Sequence, residues 1–201
     1  MQKKTIIILA VIGGILLIGL MLFGWVTGMY NSLVKLDEGV KSAWAQVQNQ
    51  YQRRLDLIPN LVATVKGYAE HESEVFEKVA EARSSVGKLQ VTPEILNDPQ
   101  AFQKFQEAQS GLSSALSRLL AVAENYPLLK ANENFMQLQA QLEGTENRIS
   151  VERKRFNEIV QDYNTRVRMF PTAMFAGMFG FGQKAYFQAE AGAEKAPQVK
   201  F

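Results

Sequence analysis

Cysteine is absent from the 201 residues, which removes disulfides, thiolate metal sites and cysteine nucleophiles together. Histidine occurs once, as His71. A histidine-rich metal centre is thereby excluded, as is a ferritin-like di-iron bundle, which needs two Glu-x-x-His pairs on facing helices; the residue three before His71 is Tyr68. No nucleophile-elbow motif supports a serine triad around His71. The glycines of the C-terminal region are interleaved with Phe and Met and follow no strand, so no phosphate-binding loop is present. An excess of one charge is also missing: 22 basic residues face 20 acidic ones, for a net charge of +2. The signs are mixed along the chain, which argues against a dedicated nucleic-acid binder. Glu70, Glu72 and Glu74 are close in sequence, but residues two apart on a helix point in different directions, so we read them as structural.

What is present is a long apolar run near the N-terminus. No charged side chain occurs from Ile6 to Val26, a stretch of about 21 residues that spans roughly 30 Å as a helix and matches a bilayer core. A cleaved signal peptide would have a shorter apolar run and a small-x-small site, whereas Val-Thr-Gly-Met-Tyr follows Trp25. We therefore expect a retained transmembrane helix, with Trp25 and Tyr30 at the interface. Lys3 and Lys4 precede the run, while Lys35 and Lys41 beyond it share their side with Asp37 and Glu38. That balance favours a cytoplasmic N-terminus with the domain outside. Gly24 and Gly28 form a GxxxG pair that either lets two anchors approach closely or is incidental in a Gly-rich segment.

Beyond the anchor, apolar residues recur at three- and four-residue steps with no competing strand-like alternation. One stripe runs Leu33, Leu36, Val40, Ala43, Val47, Tyr51 and Leu55. A second runs from Leu61 to Val86 and stops at Gly87, a residue suited to a left-handed cap. Asp98-Pro99 reads as an N-cap with proline at the first helical position, and opens a third stripe from Phe102 to Val122, which Tyr126-Pro127 closes. A fourth runs from Phe135 to Val167 and ends at Pro171. Pro59 either kinks one long helix or separates two, and matched segments of about 28 residues favour separation. The expected fold is all-α: a transmembrane helix followed by an antiparallel up-down four-helix bundle. The chain divides into a short N-terminal segment (1–5), a transmembrane helix (6–27), the bundle (28–169), a Phe/Met/Gly-rich membrane-proximal tail (170–187) and a flexible C-terminus (188–201). That topology brings the tail back to the membrane. It could dock there on lipid headgroups, on a neighbouring anchor, on a partner, or on its own bundle end.

Four stretches carry a family resemblance: Tyr30-Asn31-Ser32-Leu33-Val34, Leu57-Ile58-Pro59-Asn60-Leu61-Val62, Glu124-Asn125-Tyr126-Pro127-Leu128-Leu129-Lys130-Ala131, and Thr145-Glu146-Asn147-Arg148-Ile149. With Ala69-Glu70-His71-Glu72 and Phe170-Pro171, they make almost the whole chain resemble the LemA family. The resemblance implies a LemA-like helical bundle in a bacterial cell (inner) membrane. It implies no defined biochemical activity. Family members are often encoded beside membrane zinc metalloproteases or other membrane-associated proteins, so the resemblance implies such a protease as a membrane partner and, as an alternative function, a role as its accessory factor; one branch is similar to a magnetosome-membrane formation factor.

The positions matching the family motifs are Asn31, Pro59, Asn60, Glu72, Tyr126, Pro127, Glu146, Asn147, Arg148, Arg153 and Asn157. We read them as structural: Glu146 and Arg153 lie a heptad apart and Arg153 and Asn157 one turn apart, as for polar groups that satisfy one another along a helix seam. Asn60 would satisfy backbone groups at a turn after Pro59. Arg53, Arg54 and Asp56 would then lie at the membrane-distal end, as a solvated end or a partner surface. Gly24, Gly28, Phe175, Phe179 and Phe181 are the candidates for self-association or partner contact. No catalytic, metal or cofactor-binding residue is assigned, and none of these cofactors is expected. The leading function is a non-catalytic membrane scaffold or adaptor that forms homo-oligomers. A carboxylate-dependent hydrolase would instead lose activity in His71→Ala or Glu146→Gln with its helicity intact. A sensor binding a small molecule between helices would show a ligand-dependent thermal shift.

Overall fold

The computed structural model describes residues 2–89 and 91–188. Apart from Gln188, the segment 188–201 expected to be flexible lies outside the described residues, as does Met1. All regular structure among the described residues is helical. Helix α1 spans Gln2–Lys66, so the apolar run and the first bundle helix are one uninterrupted element. Its first part is long and apolar enough to cross a membrane, and Ile6 to Phe23 present their large apolar side chains outward.

The expected break at Pro59 is overturned, because Pro59 lies inside α1. Tyr51, Arg54, Ile58, Leu61 and Val65 are all buried at steps of three and four residues, so the inward stripe passes the proline without a gap. Pro59 itself is on the exposed side. Interior proline costs about 3 kcal/mol, and burying Ile58, Leu61 and Val65 at about 1.5–3 kcal/mol each outweighs it. The chain turns instead over Gly67–Glu72, where the N–H groups of Gly67, Tyr68 and Ala69 bond back to the carbonyls of Ala63 and Val65.

Matched helices of about 28 residues are therefore not what forms. Helix α2 (Ser73–Gly87) has 15 residues, α3 (Pro99–Ala123) has 25 and α5 (Glu133–Arg168) has 36. A 3-10 turn, Pro93–Asn97, precedes α3, and a single turn, α4 (Pro127–Lys130), precedes α5. Asp98 caps α3 as its position predicts, accepting from the N–H groups of Gln100 and Ala101. Gly87 does end α2, but not in a left-handed conformation; Gly180, at φ 79°, is the described glycine that adopts one. Helix α5 runs antiparallel to α1: Ile159 lies against Gly39, Glu146 against Arg54 and Asn132 against Tyr68. The segment from α2 to the 3-10 turn descends beside them from Glu72, which meets Tyr126, to Val91, whose carbonyl accepts from Gln48. Helix α3 climbs again, with Phe102 beside Trp44 and Gln109 beside Arg54.

The core has two parts. Toward the apolar N-terminal run, Trp44, Phe102, Phe105, Phe156, Tyr163 and Phe187 form an aromatic cluster. Farther out, Ile58, Leu61, Val65, Leu112, Leu119 and Phe135 form a mainly aliphatic one. After Arg168 the chain forms α6 (Ala173–Ala176) and a 3-10 turn, Gly177–Phe179, and then climbs back along the bundle as residues 182–188. This last segment we call the strap.

Candidate functional site

Between the two apolar clusters lies a polar layer built on Arg54, which is only 1% exposed. Its guanidinium donates to Glu146 at 2.8 Å, to Ser113 at 2.8 Å and to the Gln109 side chain. Tyr51 lies one turn below, its ring 5.2 Å from the guanidinium carbon. A buried arginine is tolerated only with such a set of acceptors, because an unpaired buried charge is strongly unfavourable. The layer joins α1, α3 and α5 and opens into a cleft of about 670 Å³ between α3 and α5. Arg54, Ser113, Glu146, Ser150, Arg153 and Gln188 line it, among others.

The strap closes the half of the same seam nearer the apolar N-terminal run. Asn164 donates to the Lys184 carbonyl at 2.9 Å and accepts from the Lys184 N–H at 2.8 Å. Asn157 treats Phe187 the same way, both bonds at 2.9 Å. The two asparagines are seven residues apart on a helix, about 10.5 Å, and their targets are three apart, about 10 Å in extended chain. Three strap residues thus keep step with one heptad of α5. Gln106 on α3 accepts from the Gln188 N–H at 2.9 Å, Arg153 donates to the Gln188 carbonyl at 3.0 Å, and Ala185 donates to the carbonyl of Leu96. The Phe187 side chain completes the aromatic core, 4.9 Å from Phe102 and 5.4 Å from Phe156, with Arg153 stacked 4.7 Å over its outer face.

Lys184 is the electrostatic lock of the strap. Its ammonium lies 2.9 Å from Asp37, 2.8 Å from Asn97 and 5.4 Å over the Tyr163 ring. Burial alone would raise the Asp37 carboxyl, but hydrogen bonds from Lys184 and Lys41 outweigh it and hold the group below its ordinary range. Burial, followed by the Asp37 charge, pushes the Tyr163 hydroxyl up to about 12. Beside the end of the apolar run, Phe175 packs 6.0 Å from Trp25, and Phe179 and Phe181 lie 5.3 and 5.6 Å from Tyr30.

Several expectations about individual residues change accordingly. Glu146 pairs with Arg54 rather than with Arg153, and both Arg153 and Asn157 hold the strap. Arg54 is not at the membrane-distal end but at mid-bundle, because α1 continues for three more turns; Arg53 and Asp56 beside it are exposed. With no turn after Pro59, Asn60 sits exposed on α1 and its carbonyl accepts from Thr64. Asn31, Asn147 and Arg148 are exposed, as is His71. Tyr126 donates to Glu72 at 3.3 Å, tying the turn before α2 to the loop that Pro127 closes by starting α4. Gly24 and Gly28 face open space, whereas Phe175, Phe179 and Phe181 pack on this chain's own α1. Among the described residues, no group of three or more His, Asp or Glu side chains could hold a metal ion. Sequence reasoning missed Asp37, Gln106, Asn164 and Lys184. No local signal marks them, because the partners of Asn157 and Asn164 lie 30 and 20 residues later in the chain.

These features define an all-helical class of protein, with one N-terminal helix long and apolar enough to span a membrane and a seam closed by the chain's own C-terminal strap. The LemA family model matches residues 43–201. The chain belongs to the LemA family. It is similar to magnetosome protein MamQ 2 of Paramagnetospirillum magneticum, with 25% identity over 181 residues covering 79% of this chain and 64% of that protein. Magnetosome protein MamQ of Magnetospirillum gryphiswaldense is 26% identical over 174 residues, with coverage of 79% and 64%. Protein LemA of Metamycoplasma hominis is 26% identical over 175 residues, covering 87% of this chain and 75% of that one. The matches thus span somewhat under two thirds of the length of the MamQ proteins, 64%.

Proposed function

We propose that this protein is a non-catalytic, membrane-anchored scaffold or adaptor that self-associates and binds membrane partners. The observation that carries the reading is the continuity of α1. A flexible tether would let the bundle tumble independently, whereas a helix running from the apolar segment into the core fixes the bundle's orientation to the bilayer. That coupling suits a part that positions other proteins. The anchor is a single pass of a bacterial inner membrane, with the N-terminus cytoplasmic and the bundle outside. Gly24 and Gly28, whose faces are open, support close approach of two anchors. A membrane zinc metalloprotease, the partner implied by the resemblance, belongs to the same class of contact. The relatives named as magnetosome proteins are consistent with a role at a membrane. Crosslinking in the native membrane, and native mass measurement in mild detergent, should both give oligomers. A strictly monomeric protein that captures no neighbour would sink the proposal.

A second reading, a sensor of a small polar molecule, is favoured by the cleft at Arg54. It predicts a ligand-dependent rise in melting temperature that Ser113→Ala and Ser150→Ala weaken.

A further inference from the structure

We propose that the turn joining α5 to the strap, residues 169–181, is seated in the lipid leaflet from which α1 emerges, so that the protein grips the bilayer at two places. The inference rests on the reading of α1 as a membrane span. Depth is the first argument. With Ile6–Val26 filling a hydrocarbon core about 30 Å thick, Trp25 stands at its edge. Phe175 packs 6.0 Å from Trp25, and Phe179 packs 5.3 Å from Tyr30 just above. The turn is therefore held at the level of the membrane interface by contacts within this chain.

Exposure is the second argument. Having placed three of its rings on α1, the turn leaves Phe170 81%, Met178 80% and Met174 63% exposed. Met21 and Phe23 of α1, within four residues of Trp25, are exposed as well. Surface of that kind is favourable in an acyl-chain boundary and unfavourable in water. Charge is the third. Arg166 and Arg168, both exposed on the last turn of α5, precede the apolar turn and lie on its bundle side. That is headgroup level, where they meet lipid phosphates. The occupant is thus a phospholipid leaflet with anionic headgroups, and the segment is an interfacial foot, too short to be a second span.

Because the chain has no cysteine, the full-length protein accepts single labels. Four variants, Met174→Cys, Met178→Cys, Leu128→Cys and Ile15→Cys, are each labelled with an environment-sensitive fluorophore and reconstituted in phosphatidylcholine–phosphatidylglycerol vesicles. Leu128 is the control, 77% exposed but on α4 at the far end of the bundle. Lipids with a nitroxide high on the acyl chain should quench the labels at 174 and 178 several-fold more than the label at 128. Equal quenching at 128, 174 and 178 overturns the inference. So does a result in which 174 and 178 are shielded from lipid nitroxide and aqueous iodide alike and become exposed on dilution into excess lipid, since that surface would then be covered by a second copy. A lipid nitroxide placed deep in the acyl chain reports on the anchor separately. Quenching at 15 without quenching at 174 or 178 refutes the foot alone, whereas no quenching at 15 refutes the membrane span on which it rests.

Discussion

At the residue scale, Arg54 shows how one buried charge organises a helical seam. Its partners are asymmetric: Arg54 is sealed from solvent, while the Glu146 side chain is 39% exposed. Removing the carboxylate takes one acceptor from a buried guanidinium, and removing the arginine leaves a carboxylate that can rehydrate. Glu146→Ala should therefore cost about 3 kcal/mol or more in chemical denaturation, and Arg54→Met about 1–2 kcal/mol; the reverse order would contradict the layer as described. Asp37 supplies a pH dependence. Its carboxyl titrates lower in the folded protein than its ordinary value of 3.8. The Lys184 ion pair thus stabilises the fold above that pH and is lost as pH falls through the lower, folded value. The difference in melting temperature between the parent and Asp37→Asn should be constant down to about pH 5 and shrink below about pH 4.

At the scale of elements, α1 and the strap behave in ways that local rules do not capture. Pro59 is tolerated because the residues on the opposite side of the helix remain packed, so Pro59→Ala should restore a backbone hydrogen bond and stabilise by about 1–3 kcal/mol with no loss of helicity. Were Pro59 shaping a turn, the same change would destabilise. The strap has almost no regular structure of its own and takes its register from α5. Asn157→Ala and Asn164→Ala each remove two hydrogen bonds to it, at about 1–3 kcal/mol. Amide exchange should rise at Phe187 in the first and at Lys184 in the second, while exposed Asn147→Ala should stay within about 0.5 kcal/mol of the parent.

At the scale of the whole molecule, the proposed span, the bundle and the interfacial foot are joined without a flexible link, since α1 is continuous and the strap pins the returning chain. The α4 turn with Leu128 should therefore project away from the bilayer on one side only. In intact cells, Leu128→Cys is expected to react with a membrane-impermeant maleimide added outside; labelling only after lysis would reverse the proposed orientation.

The sequence by itself determined the apolar N-terminal run, the helical class and the ends that carry their own chemistry, such as the Asp98-Pro99 start of α3. Those depend on side chains within one or two turns of each other. Tertiary structure alone decided where α1 ends, because Arg54 reads as a surface charge until Gln109, Ser113 and Glu146 arrive from other helices to bury it. It also decided the fate of the C-terminal segment. Asn157 and Asn164 are unremarkable as a heptad pair and become a clamp only when a chain segment some 20 to 30 residues later is laid beside them. Hydrogen bonds to a segment without periodicity leave no period in its sequence to read.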